Sequence, residues 1–168
     1  MFIKVKIMLE RFKNIVRTIK SPRSKDQFLL SLPVKASLLD VGCGNHSPEM
    51  TKKRRPDIYY AGIDIDDYNT DDISKKLADE YILTDAENFA KTIRSLNISF
   101  DAAISSHNLE HCNYPMETID AICNRLKGWG VLYLAFPSEN SVNFPSRINT
   151  LNFYDDSTHI EYSRKLTA

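Results

Sequence analysis

Leu38-Leu39-Asp40-Val41-Gly42-Cys43-Gly44-Asn45 sets a short apolar run, an acid and two glycines one residue apart in a single line. A run of this length, bounded by glycine, suits a buried strand. The glycines suit a tight turn where backbone lies close to a ligand, because glycine lacks Cβ and tolerates positive φ. Gly-x-Gly turns also serve packing, so the meaning depends on what surrounds the stretch. From residue 37 onward, strand and helix signals alternate. Strands are expected at 37–41, 59–63, 81–84, 100–105 and 131–136, and helices at 48–54, 71–79, 86–96 and 115–126. The last helix would carry Met116, Ile119, Ile122, Cys123 and Leu126 on one face. Such alternation implies an α/β fold, a doubly wound, mostly parallel sheet with helices on both faces.

In such sheets, ligands bind beyond the carboxyl ends of the strands, at the point where strand order reverses. The residues at those ends are therefore the candidates. Strand one ends in Asp40 and the Gly42/Gly44 turn, and strand two in Gly62-Ile63-Asp64-Ile65-Asp66. Asp64 follows Gly44 by 20 residues, a place from which a carboxylate can accept from both hydroxyls of a ribose. Strand three ends at Asp85, beside which an exocyclic amine could be held, and strand four at Ser105-Ser106-His107. Any one of these acids could serve as a helix cap. Acids at three successive strand ends beside a Gly-x-Gly turn point to a ligand.

Composition bounds the remaining choices. The chain has 168 residues, 42% apolar and 26% charged, an ordinary balance for one globular domain. It contains no apolar run long enough to span a bilayer. Cys43, Cys112 and Cys123 are odd in number and lack C-x-x-C spacing, so reduced thiols in a cytoplasmic protein are expected. The formal charge is zero, but residues 1–25 hold eight Lys/Arg against one Glu, leaving −7 for the rest. An acidic body argues against a nucleic-acid-binding face. Within 1–25, Val5, Met8, Leu9, Phe12, Ile15, Val16 and Ile19 share one helical face. That basic amphipathic helix would pack over the domain edge, or dock peripherally on an anionic membrane. Ser21-Pro22-Arg23-Ser24 then reads as a linker, giving 1–25 as helix plus linker and 26–168 as the ligand-binding domain.

At this point the chain resembles the class I S-adenosylmethionine-dependent methyltransferases, in particular the methyltransferase domain 11-like group. The matching pieces, in family order, are the 39–44 stretch, Gly62-Ile63-Asp64-Ile65, Thr84-Asp85-Ala86-Glu87-Asn88, the 100–111 stretch ending in Leu109-Glu110-His111, and 126–134. Asp155-Asp156-Ser157-Thr158-His159-Ile160 resembles the segment that often follows strand five. The resemblance implies S-adenosyl-L-methionine as cofactor, contacted by Asp40, Gly42, Cys43, Gly44, Asp64, Ile65, Asp85, Ala86, Ser106 and His107. Asp40 would hold its amino group, Asp64 the ribose, Asp85 with Ala86 the adenine edge, and Ser106 with His107 the sulfonium side. Carboxylates there would favour a cationic sulfonium and an ammonium.

The chain departs from the family pattern at named places. Asn45-His46-Ser47 stands where a third glycine is common. Trp129 stands where the turn before strand five prefers glycine, so that turn is expected to change type. The chain stops at Ala168, before the last helix and antiparallel strand pair of the family sheet, so those C-terminal strands are expected to be missing. Ser47 at the third glycine position also counts against a NAD(P)-binding Rossmann oxidoreductase. A non-catalytic, regulatory form of the same fold is the other alternative.

No metal is expected. His107-Asn108-Leu109-Glu110-His111 fits H-x-x-E-H, but that signature needs a continuous helix and here follows a buried strand. The stretch from Asp64 lacks the glycine and acid of a calcium loop, with Lys75 at the twelfth position. The expected chemistry is in-line displacement of the methyl group, for which the protein supplies alignment. Of His107, His111 and His159, His111 is the expected general base, because it follows the strand-four end most directly. The acceptor would be a small molecule, a glycan or a lipid-linked compound.

Overall fold

Residues 24–66, 69–146 and 152–160 are described by the structure, a computed structural model. The amphipathic helix expected within 1–25, and any membrane contact through it, lie outside these residues. Five strands form one sheet: β1 Ser37–Val41, β2 Tyr59–Asp64, β3 Glu80–Leu83, β4 Phe100–Ser106 and β5 Leu126–Ala135. Their order is β3-β2-β1-β4-β5, every neighbouring pair parallel. The strands alternate with α1 Lys25–Ser31, α2 Ser47–Arg54, α3 Asp72–Leu77, α4 Phe89–Ser95 and α5 Pro115–Arg125. The expected parallel doubly wound architecture is thus the observed one.

The period of two along β1 divides the core into two layers. Leu39 and Val41 point into one, with Ala61, Ile63 and Ala103 from the neighbouring strands, and with Phe89 and Ile93 of α4 and Ile119 and Ile122 of α5. Leu38 points into the other, with Tyr60, Ala102 and Ile104, and with Phe28 and Leu29 of α1. A sheet covered on both faces can afford no alternation of polar side chains, and its central strands read as near-continuous apolar runs. Each fully buried Leu, Ile or Phe contributes about 1.5–3 kcal/mol relative to exposure.

Helix α1 lies just after the expected linker, in a stretch to which the sequence pattern assigned no element. Ser24 is its N-cap, its side chain accepting from Gln27 N at 3.2 Å. The far end of α1 is tied down by Arg55, which follows α2. Its guanidinium donates to the carbonyls of Leu29 (2.7 Å), Leu32 (3.0 Å) and Pro33 (2.8 Å), and to both oxygens of Asp57. That guanidinium, with the Lys35 N–H, holds the Asp57 carboxyl well below the usual carboxylate range.

The turn expected before β5 is replaced by extended chain. Helix α5 passes directly into β5 at Leu126, and the register jumps from Phe100↔Leu126 to Ala102↔Val131. Residues 127–130 are therefore a long bulge against β4. Lys127 reaches Asp101 at 2.8 Å from it, and Trp129 projects into solvent, 89% exposed. An extended bulge needs no positive φ at this tryptophan, so its bulk does not obstruct the chain.

Candidate functional site

The sheet order reverses between β1 and β4, and the carboxyl ends of β1, β2, β3 and β4 share one edge. At this edge the chain after β1 turns through Gly42, with φ +81°. A Cβ there would stand 2.5 Å from Asn108 Cβ in the turn after β4. Gly42 is thus fixed by close packing as well as by backbone conformation. Gly42 N donates to the Ile63 carbonyl at 2.8 Å, binding the turn to β2.

Asp64 completes that junction. One carboxylate oxygen accepts from Gly44 N at 2.6 Å and the other from Ile65 N at 2.7 Å. Burial outweighs these donors and the Asp66 N–H, and raises the Asp64 pKa above its ordinary value. The carboxylate keeps acceptor capacity for a further donor. The acid and the glycine turn, inferred separately from sequence, therefore form one unit. Ile65 is partly open at 43% exposure.

Asp40 is fully buried on the α1 side of the sheet. Its Oδ2 accepts from Ser47 Oγ (2.7 Å), Tyr60 OH (2.8 Å) and Lys25 Nζ (3.1 Å). Lys25 also donates to Ser47 Oγ at 2.7 Å. Ser47, at the third glycine position, is thus engaged in satisfying Asp40. Asp40 Oδ1 has no partner among the described residues, leaving one buried acceptor for an ammonium or a water. Burial pushes the Tyr60 hydroxyl well up, and also the Cys43 thiol, which is fully buried. Cys43 therefore offers packing and backbone here, not a thiolate.

Asp85 follows β3 and is exposed. Its carboxylate accepts from the backbone of Glu87 (3.0 Å) and Asn88 (2.9 Å) and from the Asn88 side chain. These bonds, the side-chain one foremost, hold its pKa below the ordinary value. Asp85 is thus a turn cap leading into α4, with its second oxygen free to accept more. The adjacent Ala86 carbonyl accepts from Asn113 N at 3.4 Å, which joins the β3 end to the loop after β4.

Strand β4 ends in Ser106, and His107 turns the chain with φ +54°, a left-handed conformation rare outside glycine. A short helical turn, Leu109–His111, follows. It buries Glu110 to 1% exposure and leaves neither carboxylate oxygen a hydrogen-bond partner among the described residues. His107 Nδ1 lies 3.3 Å from Glu110 Oε1, and this carboxylate holds the His107 imidazole above its ordinary pKa.

The segment 152–160 crosses over this turn. Ile160 N donates to the Glu110 carbonyl at 2.7 Å, and Thr158 Oγ1 lies 2.9 Å from His111 Nδ1. The rings of His111 and His159 stand 4.9 Å apart. Of the expected contacts, Gly42, Cys43, Gly44, Asp64 and Ile65 form one continuous junction. Ser106 and His107 lie at the neighbouring strand end, Asp85 and Ala86 at the next, and Asp40 beneath. Lys25, Tyr60, Asn108 and Thr158 were not singled out from sequence. Each is engaged through a partner at least 15 residues away, which no local pattern reveals.

Comparison with known proteins gives this edge a context. A family model described as a methyltransferase domain matches residues 11–166. No curated protein matches the chain. Among solved structures, the chain is similar to a SAM dependent methyltransferase from Archaeoglobus fulgidus, with 21% identity and a TM-score of 0.51, over 75% of this chain and 53% of that one. It is also similar to the plantazolicin methyltransferase BpumL, solved with a pentazolic desmethylPZN analog and SAH, at 19% identity and TM-score 0.54 over 84% and 57% of the two chains. A methyltransferase in complex with the Haloferax volcanii Trm112 activator gives 19% identity and TM-score 0.51 over 68% and 52%. At these identities the likeness is one of fold. The chain spans about half the length of these solved relatives.

Proposed function

Because the chain belongs to this methyltransferase-domain family, we propose that it transfers the methyl group of S-adenosylmethionine to a small-molecule, glycan or lipid-linked acceptor. The observation that carries the reading is the junction of Asp64 with Gly44 N at 2.6 Å, which sets a carboxylate and an open glycine turn at one strand end. In this reading Asp64 and Ile65 hold the ribose, with the spare acceptor capacity of Asp64 taking its hydroxyls. The turn 42–44 carries the methionine part, and Asp40 Oδ1 receives the ammonium directly or through water. Asp85 and Ala86 border the adenine, and Ser106 and His107 the sulfonium. The carbon–sulfur bond breaks as the acceptor's lone pair attacks from the opposite side, and the acceptor's proton must leave.

His111 is the residue we assign to acceptor activation. Its Nδ1 is engaged with Thr158, so Nε2 is the nitrogen left to act. Calorimetric titration with S-adenosylmethionine, S-adenosylhomocysteine and NAD tests the cofactor reading. Heat is expected from the first two, and none from them on folded protein would end it. Binding without turnover on any acceptor would leave the non-catalytic form of the fold. Loss of turnover in His111→Ala at unchanged cofactor affinity is expected; full activity would remove His111 from the step.

No helix among the described residues is long and apolar enough to cross a membrane. We place the protein in the cytoplasm and assign the basic 1–25 segment a peripheral contact with anionic lipid. Vesicle sedimentation should lose the protein when residues 1–20 are removed; unchanged sedimentation would contradict this.

A further inference from the structure

Glu110, His111 and His159 bring one ligand atom each to within 4.8 Å of one another, on two segments far apart in sequence. The roles of the imidazole nitrogens follow from their partners. His159 Nδ1 lies 2.7 Å from the Phe153 carbonyl, which can only accept, so Nδ1 carries a proton and Nε2 is the nitrogen available to a metal in the neutral ring. Thr158 Oγ1 donates to Asp156 Oδ1 at 2.6 Å, so it accepts from His111 Nδ1 at 2.9 Å. His111 Nε2 is therefore also the nitrogen available in the neutral ring. Near these imidazoles lies the Glu110 carboxylate, 1% exposed, whose one close side-chain contact in the turn is His107 Nδ1. A buried carboxylate met by one outer imidazole, His107 Nδ1 at 3.3 Å, and lying beside two further imidazoles each locked by an outer partner, is an arrangement by which proteins hold a metal ion.

We propose that Glu110, His111 and His159 bind a first-row divalent cation, with open positions left for an acceptor oxygen. Two imidazoles and one carboxylate suit zinc, iron(II), manganese or cobalt, and leave room for exchangeable ligands. Asp156 Oδ2, 3.8 Å from His159 Nε2, adds negative charge at the rim. This deepens the methyltransferase reading and rests on it for its purpose: His111 would act on the acceptor through the cation. A hydroxyl bound there loses its proton to solvent more readily, because the cation favours the alkoxide. The ligands differ from the H-x-x-E-H reading, in which His107 and His111 would share the ion. His107, 62% exposed in its side chain, faces Glu110 from outside.

Cobalt(II) chloride titrated into the metal-free full chain tests the site by visible absorption. One equivalent should bind, give d–d bands and be displaced by zinc. His159→Ala should abolish the bands, and His46→Ala, on a separate helix start, should leave them. Thr158→Val removes the exposed outer partner of His111, along with its hydroxyl bond to Asp156, and should weaken cobalt about 10–100-fold, which keeps the test decisive if His159→Ala does not fold. Absence of bands at millimolar cobalt, or equal binding by wild type and Thr158→Val, overturns the proposal. S-adenosylhomocysteine is titrated calorimetrically into the same samples. Its binding without cobalt binding overturns the cation site alone, whereas cobalt binding without it upholds the site and removes the methyl-transfer reading.

Discussion

At Asp64, stability and binding pull in opposite directions. Burial raises its pKa, while the ribose of the proposed cofactor needs the ionised form as acceptor. A raised carboxyl pKa in the folded state means that the folded protein gains stability relative to the unfolded chain as pH falls through that value. Cofactor affinity runs the other way, falling as Asp64 takes up its proton, at a pH above that of an ordinary aspartate. Asp64→Asn removes the charge but turns an amide NH2 toward one of the two backbone N–H donors, so it should lose about 1–3 kcal/mol near neutrality and bind S-adenosylmethionine at least tenfold more weakly. Urea unfolding and calorimetry across pH 4–7 check both halves, and equal affinity at the two ends for wild type would refute the assignment. Residues of this kind were legible because the chemistry lies within a few positions of a strand end. Asp85 was legible only in part: its place was foreseen, but the bonds from Asn88 make it a cap first.

The elements divide along similar lines. Strands β1, β2 and β4 declared themselves through short apolar runs, closed by an acid or glycine at β1 and β2 and by Ser106-His107 at β4, because the central strands of a sheet buried on both faces need such runs. Helix α1 did not, since seven residues with two buried side chains hold too little periodicity to stand out. What stabilises it is a residue of another element, Arg55, bonded to three of its carbonyl ends. Arg55→Met should cost about 1–3 kcal/mol, as carbonyls lose a charged donor. Its signature should be faster hydrogen exchange across 25–32, with the sheet amides slowed as before; protection unchanged in α1 would show that the helix holds by packing alone. Since Lys25 lies in α1, loosening it also withdraws an ammonium from Asp40.

For the molecule as a whole, β3 and β5 are the two edge strands, each with an outer side that pairs with nothing among the described residues, and β5 is the longer. Along it Trp129 and Val131 are exposed at 89% and 38%. An unpaired edge with apolar side chains is a template for self-association. Trp129→Ser should reduce light scattering at high protein concentration and shift stability by no more than about 0.5 kcal/mol. Unchanged scattering would place any association elsewhere. The edge follows from the expectation of a sheet that ends at strand five, but the bulge at 127–130 could not be read from sequence, because it depends on how β5 registers against β4 and not on the identity of its residues.

The link from Ile160 N to the Glu110 carbonyl joins positions 50 residues apart. A ribosome delivers the glycine turn, Asp64 and the whole of the sheet before it delivers His159. Chain synthesis proceeds at roughly 5–20 residues per second, and early segments fold as they emerge. A nascent chain can thus hold Gly42, Gly44 and Asp64 for seconds before His159 arrives, and the crossing of 152–160 over the Glu110 turn is among the last contacts that the chain can make.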